Sequence, residues 1–147
     1  MENLLTCAVS SDFVSFSSPQ GAGKSTLLNV PTGAVTPTEG SVFVMGKHIN
    51  TSMQQIRQDM GVCLQQSIIF PSLTVREHIQ LFSRIKGSYS KLSRKEAEDM
   101  VDQALRDVAL GEKKNSFARN LSGGMQRKLN VAMAFCGESP LVILVRS

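Results

Sequence analysis

The stretch 121–126 reads Leu121-Ser122-Gly123-Gly124-Met125-Gln126. A small hydroxyl residue followed by two glycines is typical of a helix start, and the helix that follows is amphipathic. Its predicted inward face holds Met125, Leu129, Ala132, Met133 and Cys136. A helix start carries backbone N–H groups without intrahelical partners and the positive end of the helix dipole. The stretch therefore predicts a place where an anion such as phosphate can bind.

A second glycine-rich stretch lies upstream, between a predicted strand at Phe13–Phe16 and a predicted helix at Lys24–Asn29. It reads Gln20-Gly21-Ala22-Gly23-Lys24-Ser25-Thr26, which fits the phosphate-binding P-loop except that Ser18 replaces the first glycine of the pattern. The glycines let successive N–H groups face phosphates, lysine adds positive charge, and the serine hydroxyl can coordinate Mg²⁺. The alternative is a glycine turn at a helix start with no ligand.

Composition limits the classes of protein to consider. With 147 residues, 41% of them hydrophobic, the chain is one domain or a piece of one. The net charge is +4, and the basic residues are mostly spread along the chain. One Tyr and no Trp leave little surface for base stacking, so we expect no nucleic-acid partner. No apolar run approaches the ~20 residues that a membrane-spanning helix needs.

The cysteines are odd in number and lack metal-ligand spacing. They are Cys7, Cys63 and Cys136, and each has apolar neighbours. We expect buried free thiols in a reducing compartment.

Local patterns place the remaining elements. We predict a hairpin from Ser41–Met45 and His48–Ile49, a helix over Thr51–Met60, and a strand at Val62–Leu64. Capping boxes at Thr74 with Glu77 and at Ser93 with Glu96 start two helices. The first should end at Gly87, and the second should run to about Leu110 and end at Gly111. The apolar run Leu141–Val145 predicts a parallel strand buried on both faces. The fold class is therefore α/β, with three layers and an inserted helical subdomain.

On the basis of residues 121–126 and the P-loop, the chain resembles the nucleotide-binding domain of an ATP-binding-cassette (ABC) transporter. The family signature is usually Leu-Ser-Gly-Gly-Gln, and the variant with Met before Gln resembles subfamily A, a group of lipid-linked exporters. The stretches Pro37–Val42 and Leu73–His78 also resemble that subfamily. The resemblance implies a P-loop NTPase domain with a mixed sheet, spanning 1–147 as one partial domain. It would be incomplete at both ends, with an atypical segment at 1–17 and a helical subdomain at about 72–125.

The resemblance also implies ligands and roles. The chain's own ATP would contact Gln20, Gly21, Ala22, Gly23, Lys24, Ser25 and Thr26. ATP held by a partner would contact Leu121, Ser122, Gly123, Gly124, Met125 and Gln126. Ser25 and Gln65 would contact Mg²⁺, and Gln65 would also reach the attacking water. Gln66 is adjacent, so the assignment between the two glutamines stays open. His48 and His78 match no catalytic position and are interpreted as surface or helix residues.

One departure from the family concerns hydrolysis. There, the four apolar residues at Leu141–Leu144 are followed by the Asp that holds Mg²⁺ and the Glu that polarises water. This sequence has Val145, Arg146 and Ser147 instead, and the switch histidine is absent. We therefore expect the chain to bind ATP but not to hydrolyse it alone.

The implied partners are a second cassette, in a head-to-tail dimer, and transmembrane domains outside this chain. The implied location is the cytoplasmic face of a membrane, or the cytosol for a separate fragment. Two alternatives stay open. The chain could be a non-enzymatic truncated variant that interferes with an intact cassette, or a soluble ABC protein of DNA repair or translation. The subfamily A-like signature argues against the last.

Overall fold

A computed structural model describes residues 6–9, 14–17, 23–63, 66, 68–89, 92–137 and 139–145, with the backbone alone at 6–9, 14–17, 24 and 25. The chain forms two compact units, residues 1–56 and 57–147, which are described separately.

The first unit begins with an antiparallel strand pair. Strand β1 (Thr6–Val9) pairs with β2 (Val14–Ser17), from Thr6 opposite Ser17 to Val9 opposite Val14. The strand predicted before the glycine loop is thus present one residue later than expected. Helix α1 (Lys24–Asn29) has the predicted bounds, and the chain leaves it through Gly33, which adopts a left-handed φ of 71°.

The predicted hairpin is present but shorter. Strands β3 (Phe43–Val44) and β4 (Lys47–His48) pair antiparallel. Both residues of the connecting turn have positive φ, 50° at Met45 and 72° at Gly46, as a type I′ turn requires. Helix α2 (Ile49–Asp59) follows directly, two residues earlier than predicted, with a kink at Ser52.

The second unit contains a parallel strand pair. Strand β5 (Met60–Cys63) pairs with β6 (Leu141–Leu144) in register, from Met60 opposite Leu141 to Cys63 opposite Leu144. The parallel pairing of the late strand was predicted correctly. Its burial on both faces was not, because β6 is only half-buried and Leu144 is 46% exposed. The last helix of the described chain, residues 123–135, packs against β6.

Both predicted capping boxes are present. Helix α3 (Val75–Ile85) starts where the Thr74 hydroxyl accepts the Glu77 amide at 3.2 Å and the Glu77 carboxylate accepts the Thr74 amide at 2.7 Å. Helix α4 (Arg94–Asp107) starts with the equivalent pair, Ser93 and Glu96. The hydrogen bonds from Thr74 hold the pKa of the Glu77 carboxyl below its ordinary value.

The predicted end of α4 was wrong. The helix stops at Asp107, and Gly111 instead begins a 3-10 turn, Gly111–Lys113. The chain turns at Ala109, which adopts φ 55°. The Leu110 amide donates to the Leu105 carbonyl at 2.8 Å and the Ala109 amide to the Arg106 carbonyl at 2.9 Å, which is a Schellman motif. An alanine takes the left-handed position that the sequence pattern assigned to glycine.

An ion cluster joins α3 to α4. The Asp102 carboxylate accepts from the Arg76 guanidinium at 2.7 Å and pairs with the Lys114 ammonium at 3.2 Å. The hydrogen bond from Arg76, followed by that from Lys114, holds the pKa of Asp102 below its ordinary value.

The core of the second unit lies where α3 and α4 meet helix α5 (Gly123–Phe135). Its buried members are Val75, Ile79, Val101, Leu105, Leu110, Ala118, Leu121, Leu129, Ala132, Met133 and Cys136. Helix α5 also packs on β5, and at Gly61 the two backbones approach closely. A Cβ at Gly61 would collide with the Ala134 carbonyl oxygen, so only glycine fits.

We predict that Gly61→Ala lowers the free energy of unfolding by at least about 2 kcal/mol, because α5 must move away from β5 to admit the methyl group. Gly111→Ala is the matched control, since its nearest neighbour would lie 4.0 Å from the new Cβ. Urea denaturation followed by circular dichroism gives both values. Equal stability of the two variants would contradict the close packing at Gly61.

Candidate functional site

The stretch Leu121–Gln126 forms the start of α5, as predicted. Ser122 is the N-cap, and its hydroxyl accepts the Met125 amide at 3.3 Å. The Gln126 amide donates to the Ser122 carbonyl at 2.9 Å. The amides of Gly123 and Gly124 have no acceptor among the described residues. Both glycines are exposed, and apart from the chain neighbours and the backbone of the same helix, no atom lies within 4 Å of the position of a Cβ on either.

The same stretch is held in place by its packing against the core. Leu121 is buried in the core, and Met125 packs against it. The Gln126 side chain donates to the Leu121 carbonyl at 3.3 Å. Further along, the predicted inward residues of α5 are buried: Leu129, Ala132, Met133 and Cys136. The two glycine amides are therefore open to solvent on a helix whose other side is fixed.

The upstream glycine loop is described in part. Gln20, Gly21 and Ala22 lie outside the described residues. Gly23 precedes α1 in a left-handed conformation, φ 88°, and is exposed. Lys24, Ser25 and Thr26 form the first turn of α1, and Thr26 is exposed. A substitution at Gly23 would strain the backbone, because side chains disfavour this φ.

Gln65 lies outside the described residues, and Gln66 is exposed. The segment Ile68–Phe70 that follows is held by two side chains that sequence analysis missed. The Ile68 amide donates to Asn130 Oδ1 at 3.0 Å, and Asn130 Nδ2 donates to the Gln126 carbonyl at 2.9 Å. The Phe70 amide donates to His78 Nε2 at 2.9 Å.

His78 lies on a helix, as one of the two interpretations allowed, but it is not at the surface. Its side chain is 0% exposed. Because Nε2 accepts the Phe70 amide, the ring proton lies on Nδ1, which donates to the Thr74 carbonyl at 2.8 Å. A histidine within an apolar helix face was the available signal, since a buried polar side chain requires partners. His48 is half-buried in the hairpin, edge-on to the Phe43 ring with centroids 5.0 Å apart.

The end of β6 is also tied to α5. The Val145 amide continues the ladder by donating to the Cys63 carbonyl at 2.9 Å. The Arg127 guanidinium donates to the Val145 carbonyl at 2.7 Å. Burial raises the pKa of the Cys63 thiol, and the Arg127 charge opposes that rise. Arg146, at the position where the resemblance implies a catalytic Glu, lies outside the described residues.

The cysteine prediction holds where the structure tests it. Cys63 and Cys136 are buried and form no disulfide, and burial raises the pKa of both thiols. The Cys7 side chain lies outside the described part. Over the described ranges, no helix is long and apolar enough to cross a membrane. Nor do three or more His, Cys, Asp or Glu side chains of those ranges group together as metal ligands would.

Comparison with known proteins agrees with these features. The sequence model of the ABC transporter family matches residues 10–144. Human "Retinal-specific phospholipid-transporting ATPase ABCA4" is 46% identical over 124 residues, which is 84% of this chain and 5% of that protein. "ATP-binding cassette sub-family A member 2" of Rattus norvegicus is 43% identical over 131 residues, 89% of this chain and 5% of that protein. The chain thus spans about a twentieth of the length of these relatives.

Solved structures show the same fold. The ATP-binding subunit of an ABC transporter superposes with a TM-score of 0.74 at 28% identity, covering 86% of this chain and 51% of that one. A dimeric ATP-binding cassette in a post-hydrolysis state, bound to ADP and Pi, gives a TM-score of 0.74 at 24% identity, with 97% and 71% covered. The predicted P-loop NTPase fold is therefore confirmed. The chain belongs to the ABC transporter family, as a nucleotide-binding domain most like those of subfamily A.

Proposed function

We propose that this chain binds MgATP through residues 20–26 and presents residues 121–126 to a second ATP held by a partner cassette. In this proposal, ATP closes a head-to-tail pair of cassettes, and the closure drives a membrane transporter. The observation that carries it is the start of α5, where the Gly123 and Gly124 amides are exposed and lack an acceptor among the described residues.

The geometry at Ser122–Gly124 fits a phosphate. Open space surrounds the Cβ positions of both glycines, so a phosphate oxygen can approach the amides closely. The positive end of the α5 dipole favours negative charge there. The buried side of α5 prevents these donors from turning away, which makes them preorganised.

The chain's own nucleotide is assigned to the upstream loop. In this assignment Lys24 pairs with the β- and γ-phosphates, and the backbone at Gly21–Gly23 surrounds them. The left-handed φ of Gly23 supports it, because that conformation is typical of loops whose amides converge on an anion. Ser25 and Gln65 are the proposed Mg²⁺ contacts, and Mg²⁺ would neutralise phosphate charge.

Lipid is the substrate class that the relatives suggest. The human protein cited above is named a phospholipid-transporting ATPase, and so is human ABCA7, which is 45% identical over 124 residues. We propose that this chain serves lipid transport with transmembrane domains carried outside residues 1–147, at the cytoplasmic face of a membrane.

We predict that MgATP binds the 147-residue chain and that Lys24→Ala weakens binding by about 10- to 100-fold, since it removes a charge-assisted contact to phosphate. Lys95→Ala, at an exposed lysine of α4, is the matched control and should bind as the unmodified chain does. Isothermal titration calorimetry measures all three affinities. Binding that is absent, or equal in both variants, would refute the P-loop assignment.

A second function, nucleotide binding without hydrolysis, is favoured by Val145 and Arg146. The family has carboxylates at these positions, which hold Mg²⁺ and polarise water. Such a chain could pair with an intact cassette and interfere with it.

We predict that the 147-residue chain alone releases phosphate from MgATP no faster than its Lys24→Ala variant does. Loss of one preorganised catalytic group typically costs ~10²–10³ in rate, and two carboxylate positions are replaced here. A phosphate-release assay on both proteins checks this. Mg²⁺-dependent hydrolysis that Lys24→Ala abolishes would contradict it.

A further inference from the structure

Asn130 occupies an unusual position on α5. The residue is buried, as are the apolar residues Leu129, Ala132 and Met133 of the same helix. Burying a side-chain amide is costly unless its donor and acceptor are both satisfied. Here Oδ1 accepts the Ile68 amide at 3.0 Å and Nδ2 donates to the Gln126 carbonyl at 2.9 Å. The side chain therefore bridges the backbone at Gln126 and the backbone at Ile68, which lie 58 residues apart in sequence.

One segment is a proposed nucleotide contact, and the other follows one. Gln126 closes the stretch that faces the partner's ATP. Ile68 lies three residues after Gln65, the proposed contact to the chain's own Mg²⁺ and water. Asn130 is the described side chain that joins the two by hydrogen bonds.

Ile69 packs against the core, and polar contacts hold the two ends of the segment Ile68–Phe70. The Ile68 and Phe70 side chains are 51% and 45% exposed, so burial of these two side chains does not fix the ends of the segment. At one end the Ile68 amide is held by α5 through Asn130, and at the other the Phe70 amide is held by α3 through His78. Asn130 and His78 lie on different helices, so each hydrogen bond can be removed separately by substituting one residue.

We propose that Asn130 is a positioning residue that couples the start of α5 to the segment following Gln65. A displacement of Gln126 shifts the Asn130 amide, and the amide shifts Ile68. This role rests on the proposed function, because it links the stretch that contacts one ATP to the glutamine that serves the other. The link itself is a property of the nucleotide-free chain.

The test is residue-resolved amide hydrogen exchange on the 147-residue chain. Asn130→Ala should raise exchange at Ile68 about tenfold and leave Phe70 unchanged, since one buried hydrogen bond is lost. His78→Ala should do the reverse. In the unmodified chain, Ser122→Ala loosens the first turn of α5 and should also raise exchange at Ile68. In the Asn130→Ala background it should add nothing.

Asn130→Asp distinguishes two roles of Asn130, coupling Ile68 to the start of α5 and merely holding the Ile68 amide. It also replaces Asn130→Ala as the test variant if that variant fails to fold. Aspartate keeps an acceptor for the Ile68 amide but, when ionised, has no donor for the Gln126 carbonyl. Ile68 should stay protected and lose its response to Ser122→Ala. Unchanged exchange at Ile68 in Asn130→Ala, or a persisting response to Ser122→Ala in Asn130→Asp, overturns the proposal. No nucleotide is present, so failed ATP binding would count against the proposed function alone.

Discussion

The close approach of α5 to β5 at Gly61 is the constraint on which the second unit depends. Because Gly61 has no side chain, the Ala134 carbonyl lies directly against the strand, and α5 packs closely on the β5–β6 pair. The opposite side of α5 completes the core with α3 and α4. One helix thus joins the strand layer to the helical layer. Its position therefore determines the position of the segments that are hydrogen-bonded to it.

Hydrogen bonds run from α5 to two other segments, and a third closes its first turn. Arg127 holds the carbonyl after β6, Asn130 holds the amide of Ile68, and Ser122 caps the helix start. Of the amides in the first turn of α5, those of Gly123 and Gly124 have no acceptor among the described residues. Preorganised donors of this kind bind an anion without the cost of ordering them first. The proposed role of the stretch 121–126 therefore follows from packing as much as from its residue types.

Local chemistry made much of this fold predictable. The capping boxes at Thr74 and Ser93 depend on residues three apart, so the sequence pattern identified both. The end of α4 was mispredicted because Ala109 supplies a left-handed turn that glycine usually provides. Asn130 and His78 gave only the weak signal of a polar residue on an apolar helix face. Their hydrogen-bond partners include the Ile68 and Phe70 amides, which belong to a different segment of the chain. Helix periodicity does not predict where that segment lies.

The start of α5 is proposed to contact ATP held by another cassette. Sedimentation velocity of this chain mixed with an intact subfamily A cassette, with and without MgATP, tests it most directly. We predict association that requires MgATP and that Gly124→Asp weakens at least about tenfold, because a carboxylate would then face the γ-phosphate. Association that is independent of MgATP, or that Gly124→Asp leaves unchanged, would contradict the claim.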